Sequence, residues 1–170
     1  MESASSCHLM VVYEDAVAHD LAMEVCGSVV SRLETELAFK FSFWKFKDLT
    51  DPASALQAAE AMACADILLF SLPGHDLAPE AMNWLDICAP ARTKAEGALA
   101  LIIAGSPGLI LAVEALVFQM HYAAHRLRMD FLPLLTRPPG ISAGVPLDPS
   151  LTQVDKLREE TSGGHWGLNE

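Results

Sequence analysis

Five short apolar runs alternate along the chain with helix-like segments, and this alternation constrains the fold more than any other feature. Four runs are mostly continuous in apolar residues, as in parallel strands buried on both faces. They are residues 9–13, 66–71, 97–104 and 131–135. Helices are expected between them, at residues 16–34, 51–65, 79–89 and 109–129. Strands that alternate with helices form βαβ units around a parallel sheet, so the sequence predicts an α/β fold with three layers.

The remaining run differs because its residues alternate. Phe39, Phe41 and Phe43 fall on one side of the predicted strand, and Lys40, Ser42 and Trp44 fall on the other. Such a period of two predicts a strand with one wetter face at the edge of the sheet. This strand is the second in the chain, so its edge position favours a doubly wound five-stranded parallel sheet with the order 2-1-3-4-5.

The chain divides near residue 137. Residues 1–136 of the 170 hold all the predicted strands, and they are expected to form one domain. Pro138, Pro139, Gly140 and Gly144 mark an irregular segment after it. Residues 137–170 are therefore expected to be a C-terminal extension that packs on the same domain or on a partner subunit.

Charge and composition exclude several classes of function. The net charge is −11, which would repel a nucleic acid, so no nucleic-acid partner is expected. The longest apolar segment, residues 109–120, is interrupted by Glu114 and Gln119 and is shorter than a membrane span. The N-terminus lacks a basic secretory region, and the four cysteines form no CxxC pair. These features predict a cytoplasmic protein with reduced thiols and no membrane contact.

The predicted fold indicates where a ligand would bind. In an open parallel sheet, ligands lie beyond the carboxyl ends of the strands, at the point where the strand order reverses. Three loops meet there, at residues 14–16, 71–78 and 105–108, and Ser71 could offer its hydroxyl to a ligand. The candidate binding residues within the second and third loops are Pro73, Gly74, His75, Asp76, Gly105, Ser106 and Gly108.

Two segments carry a resemblance to a known family. Residues 65–73, Ala-Asp-Ile-Leu-Leu-Phe-Ser-Leu-Pro, are followed by a helix that starts at Pro79 and continues to Asp86. This layout resembles the NAD(P)H-dependent FMN reductases of the flavodoxin superfamily over residues 8–136. The resemblance implies a flavodoxin-like fold, an FMN cofactor and an oxidoreductase activity. It also implies that residues 73–78 flank the flavin ring and that residues 105–108 bind its polar edge.

The first loop departs from that family and leaves an alternative open. The family has Gly, Ser, Thr and Arg there, whose amides and hydroxyls hold the FMN phosphate, whereas this chain has Glu14 and Asp15. Receiver domains also carry an acidic pair after the first strand, but here Ser71 and Thr136 occupy the places of their phospho-accepting Asp and their Lys. The alternative is therefore a cofactor-free, flavodoxin-shaped or receiver-shaped interaction module without catalysis.

The fourth helix suggests an oligomer. His121 and His125 lie four residues apart, a spacing that suits a metal, but no third ligand is evident and no metal site is expected. Large apolar residues border the polar stripe of this helix on both sides, among them Phe118. Because monomers rarely expose such a surface, the sequence predicts a homodimer through residues 109–128.

Overall fold

The computed structural model describes residues 5–33, 36–74, 76–104 and 110–136, without the side chains of 110–112 and 134–136. The C-terminal extension predicted at residues 137–170 lies outside these ranges. The strands are β1 (Ser5–Tyr13), β2 (Leu37–Lys45), β3 (Ile67–Leu72), β4 (Ala98–Ala104) and β5 (Asp130–Thr136). The helices are α1 (Ala16–Leu33), α2 (Pro52–Cys64), α3 (Pro79–Cys88) and α4 (Ile110–Leu127), and short 3-10 turns precede α2 and follow α3.

The five strands form one parallel sheet in the order β2-β1-β3-β4-β5, which confirms the predicted fold class. The side chains of α2, α3 and α4 pack on one face of the sheet around Phe70, Leu101 and Met62. The small residues of α1 pack on the opposite face against Val11 and Ile102. Helices thus cover both faces, and the central strands are buried on both sides, as their continuous apolar runs require.

The start of α2 follows the sequence closely. Asp51 precedes the helix and accepts a hydrogen bond from the backbone N–H of Ser54 at 2.9 Å, and Pro52 is the first helical residue. A side-chain cap followed by proline is the expected beginning of a helix. None of the helices in the described part of the chain is long and apolar enough to cross a membrane.

The buried residues of α1 are its small ones and not its large apolar ones. Ala18, Ala22 and Cys26 are the buried residues, while Val17 is 55% exposed. Small side chains let the helix lie close to the sheet, and the larger Leu21 and Val25 fill the margins of the contact. Large apolar residues recur at every fourth position of α1, and this row borders the buried face and does not form it. They are Val17, Leu21, Val25, Val29 and Leu33.

Both faces of the edge strand β2 hold exposed residues. On the phenylalanine face, Phe41 and Phe43 are 39% and 37% exposed, and on the other face Lys40 is exposed. Trp44, on the opposite face, is half-buried and packs against the main core. The reason is the position of α1, which contacts β1, β3 and β4, so that the phenylalanines of the edge strand remain partly uncovered.

Candidate functional site

The carboxyl ends of the central strands bring two of the predicted loops together. Tyr13 of β1 lies beside Ser71 of β3, and Leu72 of β3 lies beside Ile103 of β4, so these strands end at the same edge of the sheet. Of the predicted binding residues, Pro73 and Gly74 are half-buried after β3, and Asp76 is exposed. His75, Gly105, Ser106 and Gly108 lie outside the described residues.

Asp15 occupies the N-terminus of α1. One of its carboxylate oxygens accepts a hydrogen bond from the backbone N–H of Ala18 at 2.9 Å. Its own carbonyl accepts the N–H of His19 at 2.9 Å, which closes the first helical turn. The amides at a helix N-terminus are what a bound phosphate would use. Here a side chain of the loop itself already satisfies one of them and brings a negative charge.

Further carboxylates surround this position. Burial raises the pKa of Glu14, and the nearby charges of Asp15 and Asp76 raise it further. Asp76 follows β3, so the two loops contribute acids to the same small region. A group of carboxylates repels an anion and attracts a proton or a cation. The described part of this strand edge is therefore electronegative.

Ser71 is not available to a ligand. Its side chain is fully buried, and its hydroxyl donates a hydrogen bond to the carbonyl of Ala18 at 2.6 Å. The bond joins the end of β3 to the first turn of α1 and satisfies the hydroxyl within the protein. Ser71 thus positions the helix, contrary to the expectation that its hydroxyl faces a ligand.

Sequence reasoning missed an aromatic group beside the first loop. The ring of His19 lies 4.9 Å from the ring of Tyr13 and 5.6 Å from that of Phe43, and its Nδ1 atom is 3.4 Å from Asp20. The group links the carboxyl end of β1 to the edge strand. One feature of the sequence could have indicated this aromatic group. His19 falls in the first turn of α1 after the loop, on the side of the helix that faces the neighbouring strand ends.

Within the described residues, His121 and His125 of α4 are not part of a metal-binding cluster. Both His121 and His125 are exposed, and the ring of His121 contacts Phe131 edge-on at 5.8 Å. Within the described ranges, no three His, Cys, Asp or Glu side chains lie close enough together to hold a metal ion.

Comparison with solved structures identifies the class of fold. The chain is similar to a short-chain flavodoxin associated with a non-canonical PDU bacterial microcompartment, with a TM-score of 0.54 and 14% identity, over 81% of this chain and 87% of that one. It is also similar to the flavodoxin of Streptococcus pneumonia TIGR4, with a TM-score of 0.51 and 11% identity, over 94% and 100% of the two chains. The chain therefore has a flavodoxin-like fold. No family model and no curated protein sequence matches it.

The two solved structures are flavodoxins, and the described residues of this chain allow a test of whether a flavin phosphate would fit at its first loop. At the first loop, the Asp15 carboxylate holds the amide of Ala18, and Glu14 and Asp76 add negative charge nearby. The Ser71 hydroxyl is bonded internally. The carboxylates among these residues would repel an FMN phosphate, and the Ser71 hydroxyl is not available to donate a hydrogen bond to it. The described part of the first loop does not fit that phosphate.

Proposed function

We propose that the chain is a flavodoxin-fold protein that acts by binding a partner molecule and that has no flavin phosphate at its first loop. The observation that carries this proposal is the side-chain cap of Asp15 at the start of α1, which uses the helix N-terminus from within. The acidic neighbours of Asp15 support the same conclusion, because each further carboxylate weakens the attraction for a phosphate.

A second candidate is an FMN-binding, NAD(P)H-dependent oxidoreductase. It is favoured by the two flavodoxin neighbours, which match this chain over most of its length. In this function Pro73, Gly74, His75 and Asp76 would flank the flavin ring, and Gly105, Ser106 and Gly108 would bind its polar edge. The flavin would carry electrons between a nicotinamide and an acceptor. The phosphate would then need a place other than the first loop.

The experiment that separates the two is a parallel titration with FMN and riboflavin, which share a ring system and differ in the phosphate. We expect the purified protein to be colourless. We also expect it not to quench the fluorescence of FMN or of riboflavin at about 50 μM flavin, a range in which ordinary cofactors bind. Quenching of the fluorescence of either flavin would show that the flavin binds and would overturn the cofactor-free proposal. If riboflavin bound more tightly than FMN, the ring site would exist and the acidic loop would be rejecting the phosphate.

A further inference from the structure

The edge strand β2 presents a long unpaired side. All nine of its residues, Leu37–Lys45, pair with β1 on one side, and no other strand of the described chain pairs with the opposite side. Half of the backbone N–H and C=O groups of β2 therefore point away from the sheet. A row of such groups is a template for an additional strand, and proteins usually shorten, bend or cover it.

One face of this edge carries an apolar groove. The rings of Phe39, Phe41 and Phe43 stack along the strand, with centroids 6.0 Å and 6.3 Å apart. Between these rings and α1 lies an open groove of about 300 Å³. Its lining is almost entirely apolar, and its residues are Met23, Cys26, Gly27, Val30, Ser31, Phe41 and Phe43. Met23 is itself 47% exposed at the rim.

The other face carries a smaller and more polar groove. It has a volume of about 190 Å³ and lies between β2 and α2, where Lys40, Ser42, His8 and Glu60 contribute to its walls. Successive side chains of a strand point to opposite faces. A strand paired with β2 would therefore turn alternate side chains toward the face of Phe41 and Phe43 and toward the face of Lys40 and Ser42.

The charge of the edge indicates what kind of strand it would accept. Residues 37–47 contain Lys40, Lys45 and Lys47 and no acidic residue, and Glu36 and Asp48 flank this stretch, in a chain with a net charge of −11. Lys40 and Lys47 are exposed. Lysines on an edge strand oppose its pairing with the same strand of a second copy, because like charges would meet. The same lysines attract an acidic strand.

We infer that β2 binds one extended segment of an acidic partner polypeptide, which adds a sixth strand to the sheet and places every second side chain, large and apolar, against the exposed sides of Phe41 and Phe43. This inference rests on the proposed binding function and names the surface that would perform it. The backbone supplies the hydrogen bonds, the exposed phenylalanines favour apolar side chains on their face, and Lys40 on the opposite face favours acidic ones.

The test uses the full chain and a fluorescein-labelled nine-residue peptide in which Val and Ile alternate with Glu and Asp. We expect a dissociation constant of tens of micromolar at low salt, about the strength of a short added strand. A peptide with Lys in place of Glu and Asp should bind at least about tenfold more weakly. Phe41→Ser, which leaves the charge unchanged, should weaken binding of the acidic peptide about fivefold or more through the lost apolar contact.

Charge-reversal variants provide a matched comparison. Lys40→Glu should weaken acidic-peptide binding about fivefold or more, whereas Arg128→Glu should change it less than about twofold. Arg128 is exposed and lies just before β5, at the opposite edge of the sheet. The Arg128→Glu substitution therefore makes the same change of charge as Lys40→Glu, but far from β2. Circular dichroism of each variant establishes that the fold is intact. Amide hydrogen exchange should slow in β2 on addition of the peptide and stay unchanged in β5.

Several results would overturn the inference. The first is an absence of binding at about 1 mM peptide. The second is binding that Lys40→Glu and Phe41→Ser leave unchanged. The third is protection of the outward amides of β2 in the free monomer, which would show that the chain itself covers the edge. A mass that doubles with concentration and that Phe41→Ser returns to the monomer would assign the edge to a second copy. None of these measurements involves a flavin, so they fail or succeed separately from the flavin titrations.

Discussion

At the amino ends of the strands, one buried guanidinium ties several elements together. Arg92 is 6% exposed, and it donates hydrogen bonds to the carbonyls of Met62 and Ala65 at the end of α2 and of Glu96 before β4. Gly97 lies against it with a φ of +153°, and a Cβ atom there would be 2.7 Å from Arg92 Nη2 and 2.8 Å from the Asp66 carbonyl. The contact requires glycine for both its conformation and its size.

We predict that Gly97→Ala lowers the free energy of unfolding by about 2 kcal/mol or more, because the methyl group meets a fixed guanidinium and a backbone carbonyl. The matched control is Gly27→Ala. Gly27 is exposed within α1, and an added Cβ would meet nothing within 4 Å. That change should raise the free energy by about 0.5–1 kcal/mol through helix propensity. Urea denaturation measures both, and equal effects of the two substitutions would refute the packing described at Gly97.

Asp66 supports the same end of the sheet and predicts a pH dependence. Its carboxylate accepts the N–H of His8 at 2.8 Å and pairs with Lys94. Burial alone would raise the pKa of Asp66, but the His8 amide and the Lys94 ammonium outweigh it, and the pKa is lowered. A carboxyl group with a lowered pKa in the folded state stabilises the fold above its unfolded pKa of about 4, and this contribution is lost as the pH falls through the lowered value.

We therefore expect Asp66→Asn to be less stable than the natural chain by about 1 kcal/mol at pH 7, a modest figure because the ion pair is partly exposed. The difference should shrink as the pH falls below about 4 and the natural carboxyl group becomes protonated. Thermal unfolding of both proteins over the range from pH 7 to about 2.5 makes the comparison. A difference that is the same at both ends of the range would show that the charge of Asp66 contributes nothing.

At the scale of single elements, the sequence predicted most of what the structure contains. Each predicted strand and helix is present, and the cap at Asp51 was predictable because capping depends on residues adjacent in sequence. The edge position of β2 followed from its alternating pattern. The contacts of Arg92 and Gly97 were not predictable, since they join segments about 30 residues apart and no local pattern marks them.

The candidate site was less accessible to sequence reasoning. The position of the loops at the strand ends follows from the topology, and the capping role of Asp15 could be foreseen from its place before α1. The direction of the Ser71 hydroxyl could not, because it depends on how closely α1 approaches the sheet over its alanines. The partial exposure of Phe41 and Phe43 on β2 could not be predicted for the same reason, because the position of α1 across the strands is a property of the packing.

The fourth helix carries a prediction about assembly. Phe118 and Tyr122 of α4 are 74% and 56% exposed, and Ile87 of α3 is 69% exposed. Arg126 pairs with Asp86 and lies 6.0 Å from the centre of the Tyr122 ring, which connects the exposed sides of the two helices. A homodimer through α4, predicted from the sequence, would cover this apolar surface.

We expect light scattering of the natural chain to give the mass of a dimer at high concentration, and Phe118→Glu to give a folded monomer at the same concentration, because a charge cannot be buried there unpaired. The control is Leu56→Glu, which changes another exposed apolar residue, 63% accessible on α2, and should leave the mass unchanged. A monomeric mass of the natural chain at every concentration would show that α4 is not a dimer interface.

On the scale of the whole molecule, the fold does not determine the function. The sheet order and the covering of both faces by helices are those of flavodoxins, yet a fold of this kind hosts many unrelated functions. Function depends on the strand ends, and there the chain has placed Glu14, Asp15 and Asp76. The edge of β2, where Lys40 and Lys45 lie, is the second surface, for which we propose a partner polypeptide. Binding there would need no cofactor.

The central claim is that the acidic first loop excludes the FMN phosphate. Its most direct test is an FMN titration of the natural chain beside the Glu14→Ser/Asp15→Ser variant, with fluorescence quenching as the measurement. The natural chain is predicted not to quench FMN fluorescence at about 50 μM FMN, and the variant, which loses two negative charges, is predicted to bind FMN at least about tenfold more tightly than the natural chain. Equal and measurable affinities of the two proteins for FMN would contradict the account.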